Sequence, residues 1–143
     1  MKLGHVIFIV FFTLAYGIVH MLASRDEKKM LSILQKRQLL TDDEIYHGFY
    51  ASRGIDKKHV LELWHEIANV LEIKAGYMRP DDKFGKDIGL PIFGINDALD
   101  ELGNIALHRA EKQGISVNPP SIATVDDYVK HFTYTCPEQE SFR

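Results

Sequence analysis

The residues of this 143-residue chain that could perform chemistry rarely fall at spacings that bring two of them together. Cys136 is the only cysteine and lies in a polar tail, so it can form no intrachain disulfide, and no serine sits in a nucleophile elbow. His59 and His65 fall on one helical segment but six residues apart, off the spacing of three or four that shares a helix face; they read as surface residues. Asp81, Asp82 and Asp87 are the one carboxylate cluster that suggests Ca²⁺ or Mg²⁺. They lack the alternating ligands and closing glutamate of an EF-hand and are expected as solvated turn residues. His108 and Arg109 are expected on a solvated helix face. No catalytic residue, metal site or cofactor is therefore expected. What remains is a concentration of carboxylates, Asp97, Asp100 and Glu101, at the start of an amphipathic segment, which points to binding rather than to catalysis.

Charge divides the chain that carries these residues. Residues 1–40 hold six Lys/Arg against two Asp/Glu, whereas residues 41–143 hold eleven against eighteen. An acidic domain argues against nucleic acid, whose binders need basic patches to displace phosphate counterions, and suits partners with basic docking surfaces. From Leu3 to Ala23 there is no Lys, Arg, Asp or Glu. At helical rise this stretch spans roughly 31 Å, the thickness of a bilayer's hydrocarbon core. A signal peptide has a shorter apolar region and a small-x-small cleavage site, for which Met21-Leu22-Ala23 is a poor match, so an uncleaved transmembrane anchor over residues 1–23 is expected. Lys2 precedes the span while Arg25, Lys28, Lys29, Lys36 and Arg37 follow it, which by the positive-inside rule makes a single-pass protein with its C-terminal domain in the cytoplasm. His5 and His20 lie near the ends of the span, at the interface.

Residues 24–40 form a charged stretch with Met30, Leu31, Leu34 and Leu39 as a loose apolar stripe, expected as a juxtamembrane stalk. Thr41 and Glu44 make a capping box that starts a helix running to Gly54. Asp56 caps a second helix, whose Val60, Trp64, Ile67 and Leu71 recur at helical spacing and make Trp64 a core residue. A loop rich in glycine and proline follows from Lys74 to Ile95, too apolar at Tyr77, Met78, Phe84, Ile88, Ile92 and Phe93 to float free. Asn96 is placed to cap the next helix, whose apolar period runs through Ala98, Leu99, Leu102, Ile105, Ala106 and Ala110 to a stop at Gly114. Thr124 and Asp127 box a last helix that buries Val125, Tyr128, Val129 and Phe132. The tail over 135–143 is polar. The expected fold class is thus all-α: the membrane helix, then a small helical domain over 41–134.

The order of these parts resembles the acyl carrier protein family over roughly residues 57–132. The first long helix ends at Leu71, a glycine-bearing loop follows with Phe84 and Asp87-Ile88-Gly89, and a helix opens with Asp97-Ala98-Leu99-Asp100-Glu101-Leu102. Thr124-Val125-Asp126-Asp127-Tyr128-Val129 resembles the start of the family's closing helix. The resemblance implies a four-helix bundle. Carriers attach 4'-phosphopantetheine to a serine hydroxyl at the position where this chain has Ala98, which has no oxygen to esterify. It further implies that Asp97, Asp100 and Glu101 correspond to the surface with which carriers dock basic enzymes. The expectation is a membrane-anchored, carrier-like protein-binding module, non-catalytic, with a membrane-associated protein partner. Alternatives are a functional phosphopantetheine-dependent carrier using another serine, or an immunity or assembly factor of unrelated bundle fold.

Overall fold

The computed structural model describes residues 3–89, 97–118 and 121–134. Its helices are α1 (Leu3–Gln35), α2 (Asp42–Phe49), α3 (Lys57–Val70), α4 (Asp97–Gln113) and α5 (Val125–Tyr134), with short 3-10 turns at Ala51–Arg53 and Ala75–Tyr77. Among the described residues there is no strand, only isolated bridges that tie Lys83 to Thr124 and Phe84 to Ile88. The domain is helical, as its periodicity predicts.

Side-chain oxygens set three of the helix starts. The Glu44 carboxylate accepts from the Thr41 amide at 2.8 Å and from the Thr41 hydroxyl at 3.0 Å, which holds it below the usual carboxylate range, while the Thr41 hydroxyl accepts from the Glu44 amide at 3.3 Å. Asp56 accepts from the His59 amide at 2.9 Å. At α5 the Asp127 carboxylate accepts from the Thr124 amide at 3.0 Å and the Thr124 hydroxyl from the Asp127 amide at 3.1 Å. Each satisfies amides that the first helical turn leaves without partners. The end of α2 departs from expectation. Tyr50 leaves helical geometry at φ −126°, and the chain tightens into the 3-10 turn before Gly54 closes it at φ +69°. The cause is burial: the Tyr50 ring packs edge-on to Trp64, 5.9 Å between centroids.

Helix α3 lies at the centre and touches α2, α4 and α5. Its face of Val60, Leu63, Trp64, Ile67 and Ala68 is buried, and Trp64 donates its indole N–H to the Ala75 carbonyl at 2.9 Å. Helix α5 buries Val125, Tyr128, Val129 and Phe132, as expected, and α4 contributes Leu102 with two small residues, Ala106 and Ala110. In the long loop Met78 and Ile88 are fully buried. Ile92, Phe93 and the Asn96 cap lie outside the described residues, as do Cys136 and the tail.

Two findings change the picture of residues 24–40 and of the loop. The stalk is not separate from its neighbours: α1 runs unbroken from the apolar span to Gln35, and Leu34 is buried to 2% in the domain core. Beyond it, the Arg37 guanidinium meets the Asp82 carboxylate at 2.7 Å and the Tyr77 carbonyl at 3.1 Å. The Leu40 amide donates to Gly76, where a Cβ would stand 2.2 Å from the Leu40 carbonyl, so only glycine fits. The domain therefore takes in residues from Leu34 onward. Asp82, expected as a solvated turn residue, is instead the buried charged side chain of the described structure, 3% exposed. A buried carboxylate is tolerated only when paired and hydrogen-bonded. Asp82 accepts from Arg37 and, at 2.7 Å, from the Arg79 amide. The Asp82 hydrogen bond in turn raises the Arg37 guanidinium above its ordinary value.

From Ile9 on, α1 is long and apolar enough to cross a membrane, and no protein covers that window. Phe11, Phe12, Leu14 and Tyr16 all project outward. Leu34→Ala is expected to destabilise the domain by about 2–5 kcal/mol, as for a cavity in a packed core, whereas Ile33→Ala, at a residue 51% exposed, should cost under about 1 kcal/mol. Denaturant unfolding of the full chain, followed by the single tryptophan Trp64, checks this; equal costs at the two sites would separate α1 from the core.

Candidate functional site

The acidic residues at the start of α4 share one side of the helix. At 100° per residue Asp97 and Glu101 lie about 40° apart, with Asp100 about 60° to the other side. All three are exposed, and none forms an ion pair among the described residues. The positive end of the helix dipole favours carboxylates here. Ala98, between them, is half-buried and offers a methyl group.

Beside this strip opens an apolar groove of about 250 Å³. Leu99, Leu102, Ala106 and Leu107 of α4 form one wall; Phe84, Val117, Ile122 and Tyr128 form the other. Leu107 stands at the rim, 47% exposed. It lies seven residues from Asp100, about 20° away around the helix, so the carboxylate strip and the groove share an edge. Gly89, at φ +64°, packs against the Leu99 wall: a Cβ there would stand 3.0 Å from Leu71 and Leu99.

The walls are fixed by Glu66 on α3. Arg109 of α4 forks onto it at 2.8 and 2.5 Å, and the Tyr128 hydroxyl of α5 donates to it at 2.6 Å. Bidentate geometry makes such a pair both strong and directional. Burial pushes the Tyr128 phenol up, and Glu66 pushes it further, so it stays protonated and donating. Burial works against the Arg109 charge, but the hydrogen bond and charge of Glu66 prevail and raise it. Arg109 is thus a clamp under the groove rather than part of a solvated face, a correction to the sequence expectation; it also lies 5.5 Å from the Phe132 ring. His108 is exposed, as expected.

The other candidate groups do not converge. His65 pairs with Asp42 at 2.9 Å, while His59 lies 3.3 Å from the Phe132 carbonyl. Asp87 caps the Lys83 amide at 3.0 Å, Asp82 is held by Arg37, and Asp81 is exposed. Among the described residues no group of three or more His, Cys, Asp or Glu is arranged to hold a metal ion. The groove itself is the feature that sequence reasoning missed. Its walls come from four separate segments, and the one local signal was the apolar character of Phe84 and Ile122 outside any helix.

No family model matches the chain, and neither a curated protein nor a solved structure does.

Gly103 lines the groove on the exposed side of α4, and a Cβ there would meet nothing within 4 Å. Gly103→Ala is expected to stabilise the domain by about 0.5–1 kcal/mol by restricting the unfolded chain. A rise in the denaturant midpoint at unchanged slope checks it; a fall would show that the groove wall needs the backbone bare.

Proposed function

We propose that this chain is a membrane-anchored, non-catalytic binding module that presents an acidic helix to a protein partner at the cytoplasmic face. The observation that carries the reading is the shared edge of two exposed features on α4: the carboxylates of Asp97, Asp100 and Glu101, and the open groove rimmed by Leu107. A partner that combines basic residues with an apolar side chain matches both at once. Charge complementarity would speed and orient the encounter, and burial of the apolar side chain would slow its release.

The carrier-like order of segments supports the same reading. On that likeness α2 to α5 form the four-helix bundle, Asp97-Ala98-Leu99-Asp100 occupies the attachment turn, and the alanine leaves the docking surface while removing the site of attachment. Helix α1 serves as the single-pass anchor, with the basic residues after it on the cytoplasmic side. A tether raises the local concentration of the domain for other membrane proteins without any further contact.

Two measurements test the proposal. Asp100→Lys with Glu101→Lys should abolish most partner capture from detergent-solubilised membranes, a loss of about tenfold or more where charge pairs are desolvated; unchanged capture removes this surface from the function. Co-expression with a broad-specificity phosphopantetheinyl transferase should leave the intact mass of the parent unchanged and raise that of Ala98→Ser. Modification of the parent would restore a working carrier, and no modification of either would set aside the carrier likeness.

A further inference from the structure

A second groove, on the side of the domain facing the apolar span, has the opposite character. It lies between the end of α1 and the 85–87 turn, has a volume of about 480 Å³, and is lined by Asp26, Lys29, Met30, Ile33, Arg37 and the turn residues with Lys86. We infer that this groove binds the headgroup of an anionic phospholipid and so holds the domain down on its own membrane. The inference rests on α1 crossing the bilayer.

Height carries the first part of the argument. Because α1 is helical without interruption to Gln35, distance from the membrane follows from residue number. Taking Ala23 as the edge of the hydrocarbon, Asp26 and Lys29 stand about 5 and 9 Å above it, the first within and the second just beyond a headgroup layer about 5–8 Å deep. The lower rim of the groove is therefore at lipid phosphates, within reach of a lysine side chain. Its upper rim cannot tilt away, since Leu34 is locked in the core and Arg37 is held by Asp82.

Charge carries the second. The domain is acidic as a whole and would be repelled by an anionic leaflet, yet the stretch that enters it from the span carries a positive excess. Residues 24–40 hold Arg25, Lys28, Lys29, Lys36 and Arg37 against Asp26 and Glu27, and the turn adds Lys83 and Lys86 beside Asp81, Asp82 and Asp87, so that the edge as a whole stays positive. Among the described residues Lys29, Lys83 and Lys86 have no ion-pair partner. Of the two carboxylates that line the groove, Asp87 is turned onto the Lys83 amide at 3.0 Å, and Asp26 stands at the lower rim beside Lys29.

The test uses the full chain in nanodiscs of phosphatidylcholine alone or of phosphatidylcholine mixed with phosphatidylserine. Amide hydrogen exchange at Gly85 and Lys86 is the readout. With phosphatidylserine present, exchange should slow about fivefold for each lysine engaged, and about 0.5 M salt should reverse it. Lys29→Gln with Lys86→Gln should abolish the slowing, while Lys112→Gln, at an exposed lysine on α4, should leave it intact. Equal exchange in the two lipid compositions would overturn the inference. So would the same slowing by inorganic phosphate in phosphatidylcholine discs, which would make the groove a soluble-anion site. Flotation of the chain with phosphatidylcholine vesicles tests the anchor separately: a chain that floats but shows no lipid dependence overturns the groove alone, and one that fails to float overturns both.

Discussion

The carboxylate of Asp82 is the constraint on which the lower half of this structure depends. Sequestered from water, it requires the Arg37 guanidinium and the Arg79 amide, and in meeting them it closes its own turn and ties that turn to the stretch that follows α1. Arg79 adds its own hydrogen bonds to the Gly76, Met78 and Gln38 carbonyls, so the arginines face the same small region from two sides. The backbone beyond Asp82 then pairs with the approach to α5: the Val125 amide donates to the Asp82 carbonyl, and Asp126 to Pro80. Removal of one partner of such a buried pair leaves an uncompensated charge, with a penalty far larger than the net worth of the pair itself. The pair thus selects one arrangement of the loop more than it adds to stability.

Glu66 plays the corresponding part in the upper half. It is less deeply buried, but it draws α4 and α5 onto α3 through a guanidinium fork and a phenol. Between these two polar centres the apolar core runs through Trp64, Ile67, Val129 and Phe132 without further charged groups. The groove beside α4 exists because Ala106 and Ala110 let that helix approach closely while Gly103 leaves its outer wall thin.

What could be read in the sequence was local. Thr41 with Glu44, Asp56, and Thr124 with Asp127 announce helix starts because the groups they satisfy lie within three residues. The periodicity of Val60, Trp64 and Ile67 announces a face for the same reason. What escaped was long-range. Asp82 lies forty-five residues from Arg37, and Glu66 forty-three from Arg109. Nothing near either partner distinguishes a clamped charge from a solvated one. The early end of α2 depends on the burial of Tyr50 against a helix that comes later in the chain. The groove, assembled from Phe84, four apolar positions of α4, Val117, Ile122 and Tyr128, has no linear image at all.

The continuity of α1 has a mechanical meaning. A flexible linker would let the domain turn freely about its anchor, sampling every azimuth. Here the span and the domain share one helical shaft, with the domain keyed to it at Leu34 and Arg37. In the proposed membrane-anchored state any rotation of the span would be transmitted as torque to the domain, and each residue along the shaft is worth about 100° of heading and 1.5 Å of height. On that proposal the acidic strip of α4 would be aimed as well as tethered, with the number of residues between Ala23 and Leu34 setting its bearing.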